Sequence, residues 1–371
     1  MADKKEETYG LTTKHEVGAI AAPALPYRPA TLKNYQPVIG LIACGGITES
    51  HLKAYKGAGY NVVALCDLKE EKAAKRRDQF FPDAKIYTDY RELLKRDDID
   101  VVDVATHPPD RPPIIEDALR AHKHVLSQKP FCIDLQVGQR MADLADKMGV
   151  KLAVNQNGRW APHWSYIRHA INAGLLGDVA AVQLSVNWDH SFIKGTVFEN
   201  IHHIVLYDFG IHWFDITATF FGNRKVKSVY ATVNRAPGQT LKPPLLAQCV
   251  IEFEDGQATL HFDAFTRYGQ QDRTYVAGSK GSAVSVGPSL TDQSVTVYTD
   301  KGYFSPKLEG SWFPNGFHGT MAELLSSIEE KRTPSNNAHN NLKGLELCFA
   351  AVASAEDGKP KKPGEVRTLV A

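Results

Sequence analysis

Val38-Ile39-Gly40-Leu41-Ile42-Ala43-Cys44-Gly45-Gly46-Ile47-Thr48 is an apolar run that breaks at a glycine pair just before a helical pattern beginning near Glu49. A strand, a tight glycine turn and a helix amino terminus in that order can cradle a pyrophosphate, because backbone amides and the helix dipole meet its charge. Gly45 fits the position where the backbone approaches a ligand closely. The pattern departs from the dinucleotide fingerprint at two places, with Ala43 where the first glycine belongs and Thr48 where the third small residue belongs. A plain glycine turn is the competing reading, and Asp67 weighs against it. Asp67 follows the second apolar run, Val62-Val63-Ala64-Leu65-Cys66, and lies 22 residues after Gly45, near the spacing of a ribose-binding carboxylate. Such a carboxylate accepts from ribose hydroxyls and repels a 2′-phosphate, which favours NAD over NADP. Its competing reading is a solvated cap of the next helix.

Outward from this unit the same rhythm repeats. Short β-branched runs near 38–43, 61–66, 84–87, 101–105, 123–127 and 151–155 alternate with helical patterns at 48–58, 69–80, 89–96, 111–121 and 135–148. Runs apolar throughout are what strands buried on both faces require, so residues 37–156 read as a Rossmann-type doubly wound parallel sheet. Lys129 ends one such run, His124-Val125-Leu126-Ser127-Gln128-Lys129-Pro130. Ligands of open parallel sheets sit at the carboxyl ends of strands, and a residue before proline is biased to extended backbone, so this lysine points at a ligand.

After Asn155 the rhythm changes. A helix near 163–173 ends at Gly174 and Gly177, and the segments 179–188, 226–233, 247–254 and 258–265 alternate apolar with polar residues, the last two joined by the hairpin signal Asp255-Gly256. Residues 157–371 therefore read as an α+β domain with an open-faced, largely antiparallel sheet, a face whose breadth calls for a homo-oligomer, dimer or tetramer. Residues 1–36 mix charge with Ala and Pro, including Pro23, Pro26 and Pro29, and read as an extended arm, disordered or docked on a neighbouring subunit.

The 371 residues, 43% of them hydrophobic, suffice for two cores, and 43 Lys+Arg against 42 Asp+Glu leave no electrostatic footprint for nucleic acid or an anionic membrane. A small neutral partner suits that balance. Five scattered cysteines without C-x-x-C spacing give neither a disulfide framework nor a structural zinc site. With no apolar run of membrane length and no signal-like amino terminus, a cytoplasmic protein is expected.

Asp208 and His212 stand four apart in a helical stretch running to Thr219, so they share a helix face. On residues alone a histidine among Phe209, Ile211, Trp213 and Phe214 is more often a core group than a catalyst. Around this stretch cluster Asn157, Arg159 and Trp160, then Trp188, Asp189 and His190, then Asn200, His202, His203 and Tyr207. Aromatic faces among hydrogen-bonding groups suit the C–H surfaces and hydroxyls of a carbohydrate or cyclic polyol. His318, ahead of an expected helix, could reach the same site. The histidines match no zinc spacing, so no metal is expected.

Taken in order, the glycine turn, Val101 to Pro109, His124 to Pro130, Asn157-Gly158-Arg159-Trp160 and Asp208-Phe209-Gly210-Ile211-His212 resemble the glucose-fructose oxidoreductase/inositol dehydrogenase/rhizopine catabolism family over roughly residues 37–360. The resemblance implies NAD contacts at Gly45, Gly46, Ile47, Asp67, Thr106, His107, Gln128, Lys129 and Asn157. It places the family's lysine on Lys129, with Gln128 where Glu-Lys-Pro has glutamate, and its Asp-x-x-x-His on Asp208 and His212. The expected activity is NAD-dependent oxidation of a secondary alcohol of an inositol, aldose or glucoside, with His212 as base, Lys129 beside the alkoxide and Asp208 orienting. Substrate contacts are expected at Lys129, Arg159, Trp160, Trp188, His190, His203, Asp208, His212 and His318. Two alternatives stay open: transient oxidation that serves elimination of a glycosidic bond, and a non-catalytic NAD-binding regulator.

Overall fold

A computed structural model describes residues 17–369. Six strands, β1 (Val38–Ile42), β2 (Asn61–Cys66), β3 (Lys85–Tyr87), β4 (Val101–Val104), β5 (His124–Gln128) and β6 (Leu152–Asn155), pair in parallel in the order β3-β2-β1-β4-β5-β6. This is the doubly wound order, in which the chain reverses direction across the sheet between β1 and β4 and opens a crevice beyond the strand ends. Helices α1 (Thr48–Gly57), α2 (Glu70–Phe80), α3 (Tyr90–Leu94), α4 (Arg111–Arg120) and α5 (Leu135–Met148) make the crossovers. Local chemistry sets their limits: in α5, Asp134 accepts from the amides of Gln136 and Val137, and Gly149 ends the helix at φ 68°.

The chain continues through α6 (Pro162–Asn172) into an eight-stranded sheet. Its strands are β7 (Val179–Asn187), β8 (Val226–Asn234), β9 (Leu246–Phe253), β10 (Gly256–Asp263), β11 (Gln271–Gly278), β12 (Gly281–Gly287), β13 (Ser294–Thr299) and β14 (Gly302–Phe304). Their order is β14-β13-β12-β11-β7-β10-β9-β8, and only β7 and β10 run parallel. The β9–β10 hairpin forms at the expected place, although its turn is Glu254-Asp255 and Gly256 already pairs with Phe253. One face is covered by α7 (Ile211–Phe221) and α9 (Ala338–Asp357). The other carries Tyr230, Val250, Val286, Tyr298 and Tyr303, all exposed. The helix α8 (Trp312–Glu329) returns to the first sheet, where Phe317, Met321, Leu324 and Leu325 share a core with Ile39, Leu41 and Leu52.

Residues 1–16 of the expected arm lie outside the described residues. From residue 17 the arm is extended and lies on its own chain, so docking on a neighbour is not needed to order it. Gly18 and Ile20 bond the edge residue Tyr303. Farther along, the carbonyls of Pro23 and Tyr27 accept from Tyr166 and Ser165, and Glu329 accepts from the amides of Lys33, Asn34 and Tyr35. All five cysteines are buried and unpaired. Among the described residues no helix is long and apolar enough to cross a membrane.

Candidate active site

The glycine turn after β1 is built to leave its amides free on one side. Thr48 donates to the carbonyl of Gly45 at 2.7 Å, and the buried Arg76 of α2 reaches the carbonyls of Gly45 and Gly46 at 3.1 and 3.3 Å. In a trans peptide the following N–H points opposite to the carbonyl, so the amides of Gly46 and Ile47 face away from Arg76. No side chain caps α1, and a Cβ built on Gly45 or Gly46 would meet nothing within 4 Å. The open space on this side accommodates a pyrophosphate against a helix amino terminus. Ala43 adopts φ 72°, the left-handed conformation the first fingerprint glycine would take without cost.

Asp67 follows β2 directly. One carboxylate oxygen accepts from the amide of Cys44 at 2.8 Å and the other from that of Lys69 at 2.9 Å. Each oxygen keeps a lone pair for a ribose hydroxyl, so the residue braces the turn and still presents negative charge there. Thr106 and His107 follow β4, the hydroxyl of Thr106 being buried without a partner. Asn157 lies just beyond β6, buried, with its side-chain oxygen accepting from Trp312 Nε1 at 2.6 Å.

Lys129 stands one residue past β5. Its Nζ donates to the Asp208 carbonyl at 2.8 Å and lies 3.3 Å from Asp208 Oδ2, both side chains being 15% exposed. An amine from the first domain and a carboxylate from the second thus meet at one place. Asp208 and His212 do not share the straight helix that the sequence implies: Val205–Phe209 form a π turn, and α7 starts after Gly210. That turn needs a glycine at 210, because a Cβ there would sit 2.5 Å from the Leu206 carbonyl. π turns of this kind are frequent at functional sites, where they re-aim a side chain. His212 is buried edge-on to Trp312, with Nδ1 unpartnered. Burial, followed by the charge of Lys129, holds its pKa well below the ordinary histidine value, so the ring is a neutral imidazole.

His190 and Trp188 complete the wall. Trp188 Nε1 donates to His190 Nδ1 at 2.6 Å, and His190 packs edge-on to Phe209, whose ring lies 5.8 Å from Lys129 Nζ. Burial pushes the His190 imidazole down to about 3.

Four expected contacts fall elsewhere. Arg159 is 3% exposed and forms a two-pronged pair with Asp215 at 2.6 Å and 2.6 Å, while donating also to the Ser335 carbonyl, so it is sealed in the core. Trp160 packs on Gly319 and lines a cavity of about 400 Å³ under the arm with Tyr27, Pro29 and Arg168. His203 pairs with Glu356 of α9. His318 lies inside α8 rather than ahead of it, edge-on to Tyr60 beyond the carboxyl end of α1, opposite the glycine turn. Together with His202, whose ring lies edge-on to that of His203, the His203–Glu356 pair is the group of possible metal ligands found among the described residues.

Arg111 is a site residue the sequence reading missed. Buried at the start of α4, it donates to the carbonyls of Thr106, Gln128 and Pro130, so one guanidinium clamps the segments after β4 and β5. Burial lowers its pKa to about 10, still fully cationic at neutral pH. A signal existed: Arg111 heads the stripe Ile114, Ile115, Ala118 and Leu119, where an apolar residue would be expected.

Residues 38–156 match the family model described as "Oxidoreductase family, NAD-binding Rossmann fold", and residues 164–284 match "GFO/IDH/MocA C-terminal domain". The chain belongs to the GFO/IDH/MocA family and is an NAD-binding oxidoreductase of that family. It is 29% identical to a D-apiose dehydrogenase of Paraburkholderia graminis over 86% of this chain and 88% of that one. It is 24% identical to an inositol 2-dehydrogenase of Rhizobium meliloti over 86% and 96%. The fold is also that of an Agrobacterium radiobacter oxidoreductase solved with NAD+, L-tartaric acid and magnesium, with a TM-score of 0.79 and 20% identity over 89% of this chain and 99% of that one.

Proposed function

We propose that this protein oxidises a secondary alcohol of a cyclic polyol or sugar. The observation that carries the reading is the meeting of Lys129 and Asp208 at the carboxyl end of β5, with His212 one turn along the chain from Asp208 and kept neutral by burial and by the charge of Lys129. Bound NAD supplies the hydride acceptor. His212 takes the hydroxyl proton at Nε2, the ring nitrogen that is not sealed in the core, while the hydride leaves the same carbon and a ketone results. The ammonium of Lys129 stabilises the developing alkoxide, and Asp208 holds that ammonium in place. The rings of Trp188, Phe209 and Trp312 offer flat walls for sugar C–H faces and keep water from the reacting carbon. The two named relatives act on an inositol and on apiose, which supports the same substrate class here.

A panel of inositols, aldoses and glucosides, each followed by NAD reduction, tests the reading. At least one should release NADH with multiple turnovers; a panel in which none does, with NAD bound, would remove the dehydrogenase reading. For Asp67→Ala, loss of a charge-assisted contact of about 1.5–3 kcal/mol predicts NAD affinity weaker by roughly 10- to 100-fold and NADP affinity little changed. Calorimetry showing equal losses for both cofactors would leave Asp67 as a brace of the turn only.

A further inference from the structure

Beneath the Lys129 bend lies a hydrogen-bonded chain of wholly buried side chains that the chemistry above does not use. His51 of α1 places Nδ1 2.7 Å from Asp103 Oδ2, and Tyr55 donates to the same oxygen at 2.6 Å. The other ring nitrogen, Nε2, lies 2.9 Å from Gln128 Nε2 and 3.2 Å from Asn155 Nδ2. Gln128 Oε1 accepts from the backbone N–H of Lys129 at 2.6 Å.

The direction of every bond follows from one fixed donor. The amide of Lys129 can only donate, so the glutamine must turn its oxygen to it and its NH2 to His51. His51 Nε2 is then an acceptor, the ring carries its single proton on Nδ1, and that proton goes to Asp103. Asn155 fits the same arrangement, with its NH2 toward the imidazole and its oxygen toward the Thr320 hydroxyl. Asp103 interrupts the apolar strand Val101-Val102-Asp103-Val104 and is fully buried. Burying a carboxylate without function or partner is costly, and here its hydrogen-bonded partners are His51 and Tyr55.

We propose that Gln128 is a positioning residue for Lys129, held in one orientation by a neutral His51 whose tautomer Asp103 fixes. The residue stands where Glu-Lys-Pro has glutamate; an amide supplies both the acceptor for Lys129 and the donor for the imidazole, which a carboxyl group could do only with an added proton on itself or on the ring. The network holds the lysine's backbone from below through this bond, Arg111 holds the flanking carbonyls, and Asp208 holds the amine. The assignment rests on the reading that Lys129 acts at the reacting oxygen.

Two variants test it. Gln128→Leu removes the acceptor for Lys129 while Asn155 still satisfies His51, and a thermal melt of the variant checks that the fold is kept. Roughly a tenfold loss in kcat is expected, with KM within about twofold, because an ångström-scale misplacement of a reacting group acts chiefly on rate. Gln128→Glu keeps the acceptor for the Lys129 N–H and should retain kcat within about threefold. Imidazole 15N spectra should show His51 carrying its proton on Nδ1 in the native protein. Trace acylation read by mass spectrometry should find Lys129 several-fold more reactive in Gln128→Leu, relative to exposed lysines of the same chain, as its contact with Asp208 loosens. Native His51 protonated on Nε2, or unchanged kcat and acylation in Gln128→Leu, overturns the proposal. Spectra and acylation need no turnover, so a native protein that oxidises no polyol would sink the dehydrogenase reading and leave this one decided on its own.

Discussion

Replacing Lys129 with methionine is expected to lower kcat by about 10²–10³-fold, the usual cost of removing a group that stabilises charge only in the transition state. His212→Ala should cost about 10²–10⁴-fold, as for a general base. The two act on one proton and one oxygen, so the double variant should lose little more than the worse single one. NAD affinity should stay within about twofold in His212→Ala, whose side chain is not among the expected cofactor contacts. Single-turnover kinetics beside NAD titration separates the cases. Loss of NAD binding together with turnover in His212→Ala would make the histidine structural. Full turnover in His212→Ala would move the base elsewhere.

Arg159→Ala should be the most destabilising single change among the residues read from the sequence as site candidates. It would strand Asp215, 1% exposed, with only Asn341 Nδ2 at 3.4 Å as another side-chain partner. Breaking one side of such a buried pair typically costs about 3–5 kcal/mol. The pair also joins the turn after β6 to α7, the helix that carries His212, so thermal unfolding should shift far more than in Lys129→Met. Removing both charges with Arg159→Met and Asp215→Leu should recover most of the loss, since apolar residues of similar volume replace buried pairs with little penalty. Urea midpoints for the three variants provide the check. Arg159→Ala unfolding at the native midpoint would show that the pair contributes nothing.

The contrast between Lys129 and Arg159 marks where sequence reading stops. Both are cations just beyond a strand of the first sheet, in segments that resemble the family motif. Lys129 finds its partner 79 residues away on a π turn, facing the crevice, while Arg159 finds its partner 56 residues away on the inward side of α7. Nothing local distinguishes the two cases. The expectation of one helix from Asp208 to Thr219 missed the π turn because spacing of four assumes regular geometry, and Gly210 was the only residue that signalled otherwise. His318 was also misplaced: regular helical backbone in α8 resumes after the extended Phe313, so the histidine lies within the helix and faces Tyr60.

Periodicity, glycine placement and strand-end position are local properties, and they determined the parallel sheet, the alternating second sheet, the glycine turn and the place of Lys129, whereas Asp208 and His212 were singled out by the family resemblance. Which polar side chains face the crevice and which are consumed inside was decided only by packing. A buried charge or amide is held by whichever partner the fold delivers, and the partners of Arg111, Asp103, Gln128 and Arg159 arrive from other elements.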